Sequence, residues 1–282
     1  MAKTSVLYHK GCSDGFGAAW SAWKKFGNKA EYLPVKFGEK YPDGLEGKDV
    51  YIMDFCYPMK ETEQILKVAK SLTIIDHHFS RKNVIQSIPN HIYSEKNSGA
   101  MLAWKYFHPG KPVPKMIKYI EDIDLWHRKL PHTDELCVSL RSYDREFSLW
   151  NKIAKDLENS KTRKKYIDEG RVMLKVHEQV VSDAVRNSQI VTFMGHKAVA
   201  SNSHVLASDI SHALITHCKV PVAIVWYQQD DCIKVRLNSD DKVDVSKLAQ
   251  NFGDGGGHKN SAAFRLKLGD KLPWKVISGK IS

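Results

Sequence analysis

Three apolar runs in the first 76 residues each end on a side chain that can bind a metal ion. Residues 4–9 (Thr-Ser-Val-Leu-Tyr-His) close on His9, residues 49–55 (Asp-Val-Tyr-Ile-Met-Asp-Phe) carry Asp54 near their end, and residues 71–76 (Ser-Leu-Thr-Ile-Ile-Asp) close on Asp76. Short runs of this composition predict strands. Between them, Ala18 to Phe26 and Met59 to Lys70 have helical character. Strand, helix, strand, helix, strand predicts an α/β fold built on a parallel sheet with right-handed crossovers. In such sheets ligands gather beyond the carboxyl ends of the strands, where His9, Asp54 and Asp76 all fall.

Further along, Ser98 to Phe107 and Val113 to Asp122 read as helices, followed by Asp124-Leu125-Trp126. Residues 145–188 are mostly helical, polar and charged. From Gln189 the pattern changes: strand-like runs at 190–193, 197–201, 221–227 and 232–237 accompany a helix at about 204–217 and a glycine-rich turn at 253–257. The expected organisation is a parallel-sheet, metal-binding domain over residues 1–150, a helical connector over 151–189, and a smaller C-terminal α/β domain over 190–282.

Composition narrows the function classes. With 42% hydrophobic residues the chain can bury a full core without staples. Its five cysteines are scattered and form no CxxC pair, which argues against a disulfide framework and a zinc ribbon. No run of about 18 apolar residues predicts a membrane span, and the first residues lack the apolar core of a signal peptide. A cytoplasmic location without membrane association is expected. The formal charge of +11 is spread along the chain. It suits a polyanionic partner and equally a basic protein with none.

Carboxylates and imidazoles are the donors that hard or borderline divalent ions prefer. His9 and Asp14 share one loop, Asp54 closes the second run, Asp76-His77-His78 closes the third, and Asp122-x-Asp124 follows a later helix. Each residue alone has a plainer explanation: a strand-end Asp is usually a helix cap or turn residue, and a lone His is usually structural. Convergence on one sheet edge is what favours a metal site.

These segments carry a resemblance. Asp76-His77-His78, preceded by Leu-Thr-Ile-Ile, resembles the signature of the DHH phosphoesterase superfamily, which includes exonucleases, oligoribonucleases of the nanoRNase type, cyclic-dinucleotide phosphodiesterases, pyrophosphatases and exopolyphosphatases. Tyr8-His9-Lys-Gly-Cys12-Ser-Asp14-Gly15-Phe16 is similar to the first motif of one branch, Val50-Tyr-Ile-Met-Asp54-Phe to the second, and Ile120-Glu-Asp122-Ile-Asp124-Leu-Trp126 to the fourth. Gly255-Gly256-Gly257-His258-Lys-Asn-Ser-Ala262-Ala263-Phe264 resembles the glycine-rich motif of the DHH-associated C-terminal domain. The nanoRNase-like branch is the nearest in pattern. The resemblance implies a centre of two ions, usually Mn²⁺ with Mg²⁺ or Co²⁺ as alternatives, held by His9, Asp14, Asp54, His77 and Asp122, with Asp54 bridging. It implies that His78 faces the substrate phosphate and that Asp76 orients the neighbouring histidine.

Two departures stand out. Many relatives carry Asp where this chain has Cys12, and the nanoRNase-like branch also tolerates Cys there, with His9 taking up coordination; Cys12 is either a soft ligand or a small residue lining the loop. Relatives carry Leu-Arg-Ser where this chain has Leu237-Asn238-Ser239. Arg236 shares a strand face with Asn238, and either supplies the missing guanidinium or is a solvated edge residue. The glycines at 255–257 allow backbone N–H groups to approach a phosphate closely. With His258, Arg236 and Asn238 they form the candidate substrate-binding set, with substrate expected between the two domains. Trp20 and Trp23, three apart, read as core, whereas Trp126 and Tyr57 lie near site residues in sequence. The expected activity is metal-dependent hydrolysis of short oligonucleotides from the 3′ end. The alternatives are cleavage of a cyclic nucleotide or dinucleotide, cleavage of pyrophosphate or polyphosphate, and nucleic-acid binding without cleavage.

Overall fold

A computed structural model describes residues 3–36, 38–253 and 255–280, with the side chains of residues 278–280 left out. The chain divides into two compact units, residues 1–174 and 175–282.

The first unit runs β1 (Thr4–His9), α1 (Ser13–Phe26), β2 (Ala30–Val35), β3 (Asp49–Met53), α2 (Met59–Val68), β4 (Ser71–Asp76), α3 (Lys82–Ser87), β5 (Asn90–Tyr93), α4 (Gly99–Phe107), α5 (Lys115–Asp124), α6 (Thr133–Ser142), α7 (Phe147–Glu158) and α8 (Ser160–Arg186), the last crossing the division between units. Its five strands pair in the order β2-β1-β3-β4-β5, all parallel. Two of them, β2 and β5, were not expected. The strand β2 contains Pro34, which cannot donate to a ladder and is tolerated because β2 is an edge. Chain order reverses beside β1: β2 lies on one side and β3 on the other. A crevice therefore opens at the carboxyl ends of β1 and β3, the switch point where open α/β sheets bind ligands.

Strand periodicity distributes the core over both faces. Val6 and Tyr8 pack with Phe16, Trp20, Trp104, Ile117 and Trp150 on one side. Leu7, Ile52 and Ile74 pack with Ile65 and Ile85 on the other. Because both faces are covered, the central strands are apolar almost throughout rather than alternating. Trp20 is buried and stacks on Trp104 at 5.6 Å. Tyr57 is likewise a core residue, packed with Phe55.

The second unit contains β6 (Gln189–Phe193), β7 (His196–Asn202), α9 (Ala207–Cys218), β8 (Val222–Gln229), β9 (Cys232–Ser239), α10 (Val245–Ala249), β10 (Gly256–His258), β11 (Ser261–Lys267) and β12 (Trp274–Lys280). They form a seven-stranded sheet in the order β10-β11-β9-β8-β7-β6-β12, antiparallel except for β7 against β8. The glycine-rich turn expected over 253–257 is in part an edge strand: Gly256 and Gly257 pair with Ala263 and Ala262, and Asp254 lies outside the described residues. The amide of Gly255 donates to the carbonyl of Phe252 at 2.9 Å, so it is not available to an anion nest. Steric need explains two of the three glycines. An added Cβ would lie 1.9 Å from the carbonyl oxygen of Ala249 at position 255 and 2.5 Å from that of Ser261 at position 257. Arg236 is exposed and shares its face of β9 with the half-buried Asn238, opposite Val235 and Leu237.

Candidate metal centre

The loop after β1 is drawn tightly over the strand end. At Gly15 an added Cβ would sit 2.2 Å from the carbonyl oxygen of His9, so only glycine fits. Cys12 caps α1: the Gly15 amide donates to its sulfur at 3.1 Å. Asp14, in the first turn of α1, is buried, yet it meets the amino end of a second helix. The amides of Gly99 and Ala100 donate to its two oxygens at 2.7 and 2.9 Å, where the dipole of α4 favours negative charge.

Asp54 follows β3 with a φ of 62°, a left-handed conformation that few residues adopt and that Asp and Asn tolerate best. Its amide still donates to the Ile75 carbonyl at 2.9 Å, so the strand pairing continues while the side chain is thrown over the strand ends. Oδ1 lies 3.3 Å from Nε2 of His77, and Oδ2 lies 3.5 Å from Nδ1 of His9. Nε2 of His77 also stands 3.7 Å from Oδ2 of Asp14 and 3.7 Å from Oδ2 of Asp124. Two triads of potential ligands result, His9-Cys12-Asp54 and Asp14-His77-Asp124, alongside a group of Asp54, Asp76, His77 and His78. Asp54 belongs to two of these groups and faces His77 of the third.

Asp76 is fully buried. Its Oδ1 accepts the His77 amide at 2.7 Å and lies 2.7 Å from Nδ1 of His78. Its Oδ2 is a buried oxygen with no hydrogen-bond partner. At Gly99 an added Cβ would lie 2.7 Å from Cβ of Asp54 and 3.0 Å from Oδ2 of Asp14, so glycine is what lets α4 approach the acids.

One expected ligand is not brought to this cluster. Asp122 turns away: the amides of Lys129 and Leu130 each donate to it at 3.0 Å, and the Thr133 hydroxyl at 2.5 Å. Asp124 occupies the place assigned to Asp122. The reason is helical geometry, since residues two apart on a helix point roughly 200° apart and only one of the pair can face the strand ends. The other expected ligands, His9, Asp14, Asp54 and His77, all lie in the cluster, with Asp76 and His78 beside them.

The electrostatics are those of crowded acids. Burial, then the charges of Asp54 and Asp124, push the Asp14 carboxyl well above its ordinary range. Burial and the Asp54 charge push Asp124 up to about 6. Burial opposes ionisation of Asp54 too, but hydrogen bonds from His77 and His9 outweigh it and hold that carboxyl well below the usual range. Burial disfavours the charged form of His78, yet contact with Asp76 lifts it to about 9. Three carboxylates meeting around His77 repel one another unless a cation or protons intervene. The nitrogen and oxygen donors, the partnerless Oδ2 of Asp76 and the room kept by Gly99 suit a divalent ion.

Residues 187–274 match the DHHA1 domain family. Over 299 aligned positions the chain is 30% identical to Uncharacterized protein R106 of Acanthamoeba polyphaga mimivirus, covering 96% of this chain and 70% of that protein. Among solved structures, the DHH domain of a member of a ribosomal-protein family superposes with a TM-score of 0.58 at 15% identity, covering 92% of this chain and 82% of that one. An exopolyphosphatase-related protein from Bacteroides fragilis superposes with a TM-score of 0.56 at 13% identity, over 95% and 87% of the two chains. The chain has the DHH fold, and its residues 187–274 match the DHHA1 domain. At these identities the superpositions establish the shared DHH fold alone. In the tripeptide Asp76-His77-His78 the first residue supports the third and the second enters the acid cluster. Among the described residues no helix is long and apolar enough to cross a membrane.

Proposed function

We propose that this DHH protein is a divalent-metal-dependent phosphodiesterase that hydrolyses short oligonucleotides to mononucleotides. The observation that carries the reading is the placement of Asp54, with one carboxylate oxygen toward His77 and the other toward His9. A carboxylate shared in this way would serve two ions, for which Asp14, His77 and Asp124 on one side and His9 on the other would be the further ligands. Mn²⁺ is the favoured ion, with Mg²⁺ and Co²⁺ as alternatives, because imidazole and carboxylate dominate the donor set. Bound there, divalent ions would supply Lewis acidity toward the phosphoryl oxygens and toward the attacking water.

The chain's own residues account for the rest. Asp76 fixes the ring of His78 through Nδ1, which directs Nε2 away from Asp76 and favours the charged form of the imidazole. A charged N–H there can hold a phosphoryl oxygen and stabilise the negative charge that builds as water adds to phosphorus. In the second unit, Arg236, Asn238 and the stretch Gly256–His258 are the proposed substrate contacts, the Gly255 amide being taken by Phe252. Cleavage of a cyclic dinucleotide would use the same centre and is the main alternative. Phosphoanhydride cleavage would call for a dense cationic cluster, whereas β9 carries two cations, Lys234 and Arg236.

The test is a substrate panel with Mn²⁺: an RNA dinucleotide, a cyclic dinucleotide, a longer single-stranded DNA and pyrophosphate. Preferential turnover of the dinucleotide is expected. Preference for pyrophosphate would eliminate the nuclease reading, and turnover that survives exhaustive chelation would eliminate the metal centre.

A further inference from the structure

Cys12 lies in the loop after β1, and the fold brings its sulfur into the acid cluster. Sγ lies 3.3 Å from Nδ1 of His9 and 3.2 Å from Oδ2 of Asp54. The three residues offer ligand atoms that all lie within 4.8 Å of one another. Among the described residues, no other cysteine belongs to such a group. Cys56 and Cys137 are buried in the cores, and Cys218 and Cys232 belong to the second unit.

The plainer role for Cys12 is capping, since its sulfur accepts the Gly15 amide at 3.1 Å. A thiol is a weak acceptor, however, and Ser, Thr, Asp or Asn would each cap this helix better. Capping alone gives no reason for sulfur. Coordination does: the loop that Gly15 packs against His9 holds the sulfur beside the imidazole, where a bound cation would offset the burial and the Asp54 and Asp14 charges that push the free thiol well up.

We propose that Cys12 is a sulfur ligand in the half of the centre formed by His9 and Asp54, and that it biases this half toward thiophilic divalent ions. The inference rests on the metal-centre reading above. When an ion binds, the Cys12 S–H bond breaks, its proton passes to solvent and a sulfur–metal bond forms, with no electron transferred. A donor set of nitrogen, oxygen and sulfur raises the affinity for Zn²⁺, Cd²⁺ and Co²⁺ relative to Mn²⁺, compared with nitrogen and oxygen alone.

The test titrates Co²⁺, Cd²⁺ and Mn²⁺ separately into the full-length, metal-stripped protein and its Cys12→Ser, Cys12→Asp and Cys218→Ser variants. Serine and aspartate both preserve the helix cap, so these changes separate coordination from capping. A thiolate-to-cobalt charge-transfer absorption is expected in the wild type and Cys218→Ser, and not in either Cys12 variant. Calorimetry should show the preference for Cd²⁺ over Mn²⁺ falling in Cys12→Ser by at least about 10-fold, the lower end of what loss of an outer partner costs a metal site. Cobalt binding without the absorption, or absorption that persists in Cys12→Ser, overturns the sulfur assignment and leaves the metal centre standing. Failure of the wild type to bind any of the three ions overturns the centre and the sulfur assignment together. Should both Cys12 variants fail to fold, alkylation of Cys12 by iodoacetamide in the wild type decides the matter. Slowing by Cd²⁺ is expected, and an unchanged rate refutes the proposal.

Discussion

Asp122 and Asp124, two positions apart at the end of α5, turn their carboxylates to separate tasks: Asp124 lies 3.7 Å from Nε2 of His77, whereas Asp122 accepts the amides of Lys129 and Leu130 at 3.0 Å each. The first belongs to the candidate centre, and the second ties the following loop to the helix that carries it. The distinction can be measured. Asp124→Asn should weaken Mn²⁺ binding by on the order of 10–100-fold or more with little change in thermal stability. Asp122→Asn should do the reverse, lowering stability by about 1.5–3 kcal/mol, the range for hydrogen bonds to a charged group. Calorimetric titration paired with thermal melts of the two variants checks this, and exchanged phenotypes would refute it.

The stability supplied by Asp122 should also depend on pH in a definite direction. Burial acts to raise its pKa, but the Thr133 hydroxyl and the amides of Leu130 and Lys129 outweigh burial and hold the carboxyl below its ordinary value. A depressed folded pKa stabilises the protein fully above the unfolded value of roughly 3.9. That contribution is lost as pH falls through the folded value. The gap between wild type and Asp122→Asn, read from denaturant unfolding, should be widest near neutrality and narrow below about pH 4. A gap that widens in acid contradicts the assignment.

Asp54 is the residue whose charge should matter most to turnover. Alanine there would add strain, because the backbone φ is 62° and alanine pays more than Asp or Asn in that region. Asp54→Asn keeps the shape and the backbone preference while removing the charge. A bridging carboxylate worth several kcal/mol of charge stabilisation predicts a rate loss of at least about 10³-fold with an unchanged circular-dichroism spectrum. Retention of more than about 1% of the wild-type rate, less than a 3 kcal/mol effect, refutes bridging.

Two glycine substitutions separate site from scaffold. In Gly99→Ala the new methyl would stand 2.7 Å from Cβ of Asp54, so metal affinity should fall. In Gly170→Ala, on α8, the methyl would stand 1.9 Å from the carbonyl oxygen of Glu135. Alanine is the better helix former by about 1 kcal/mol, but a clash with rigid backbone outweighs that gain. Gly170→Ala should therefore melt earlier, by an overpacking cost of about 1–3 kcal/mol, and still bind metal in its folded fraction. A higher melting temperature for Gly170→Ala would show that α6 and α8 can move apart at little cost.

Much of this arrangement could be read from local pattern. Apolar runs ending on His9, Asp54 and Asp76 marked three strands and the sheet edge where the site forms, because a buried parallel strand needs little beyond its own composition to be recognised. The edge strands were harder. Pro34 in β2 and the half-exposed residues Asn90–Tyr93 in β5 carry weak strand signals, and their pairing comes from neighbours distant in sequence. Gly256 and Gly257 read as part of a turn for the same reason, since the three-residue edge strand they belong to is defined by its partner β11.

By itself the sequence determined which residues could be ligands and that they would arrive at one edge of a parallel sheet, because strand identity and side-chain chemistry are local properties. Tertiary structure decided which of them meet. It set Asp124 rather than Asp122 against His77, gave Asp76 to His78, and brought the Cys12 sulfur to His9 and Asp54. Those choices depend on how α4 and α5 dock against the strand ends, and helix docking is fixed by close packing across the whole domain, at Gly99 among other positions, rather than by any short stretch of chain.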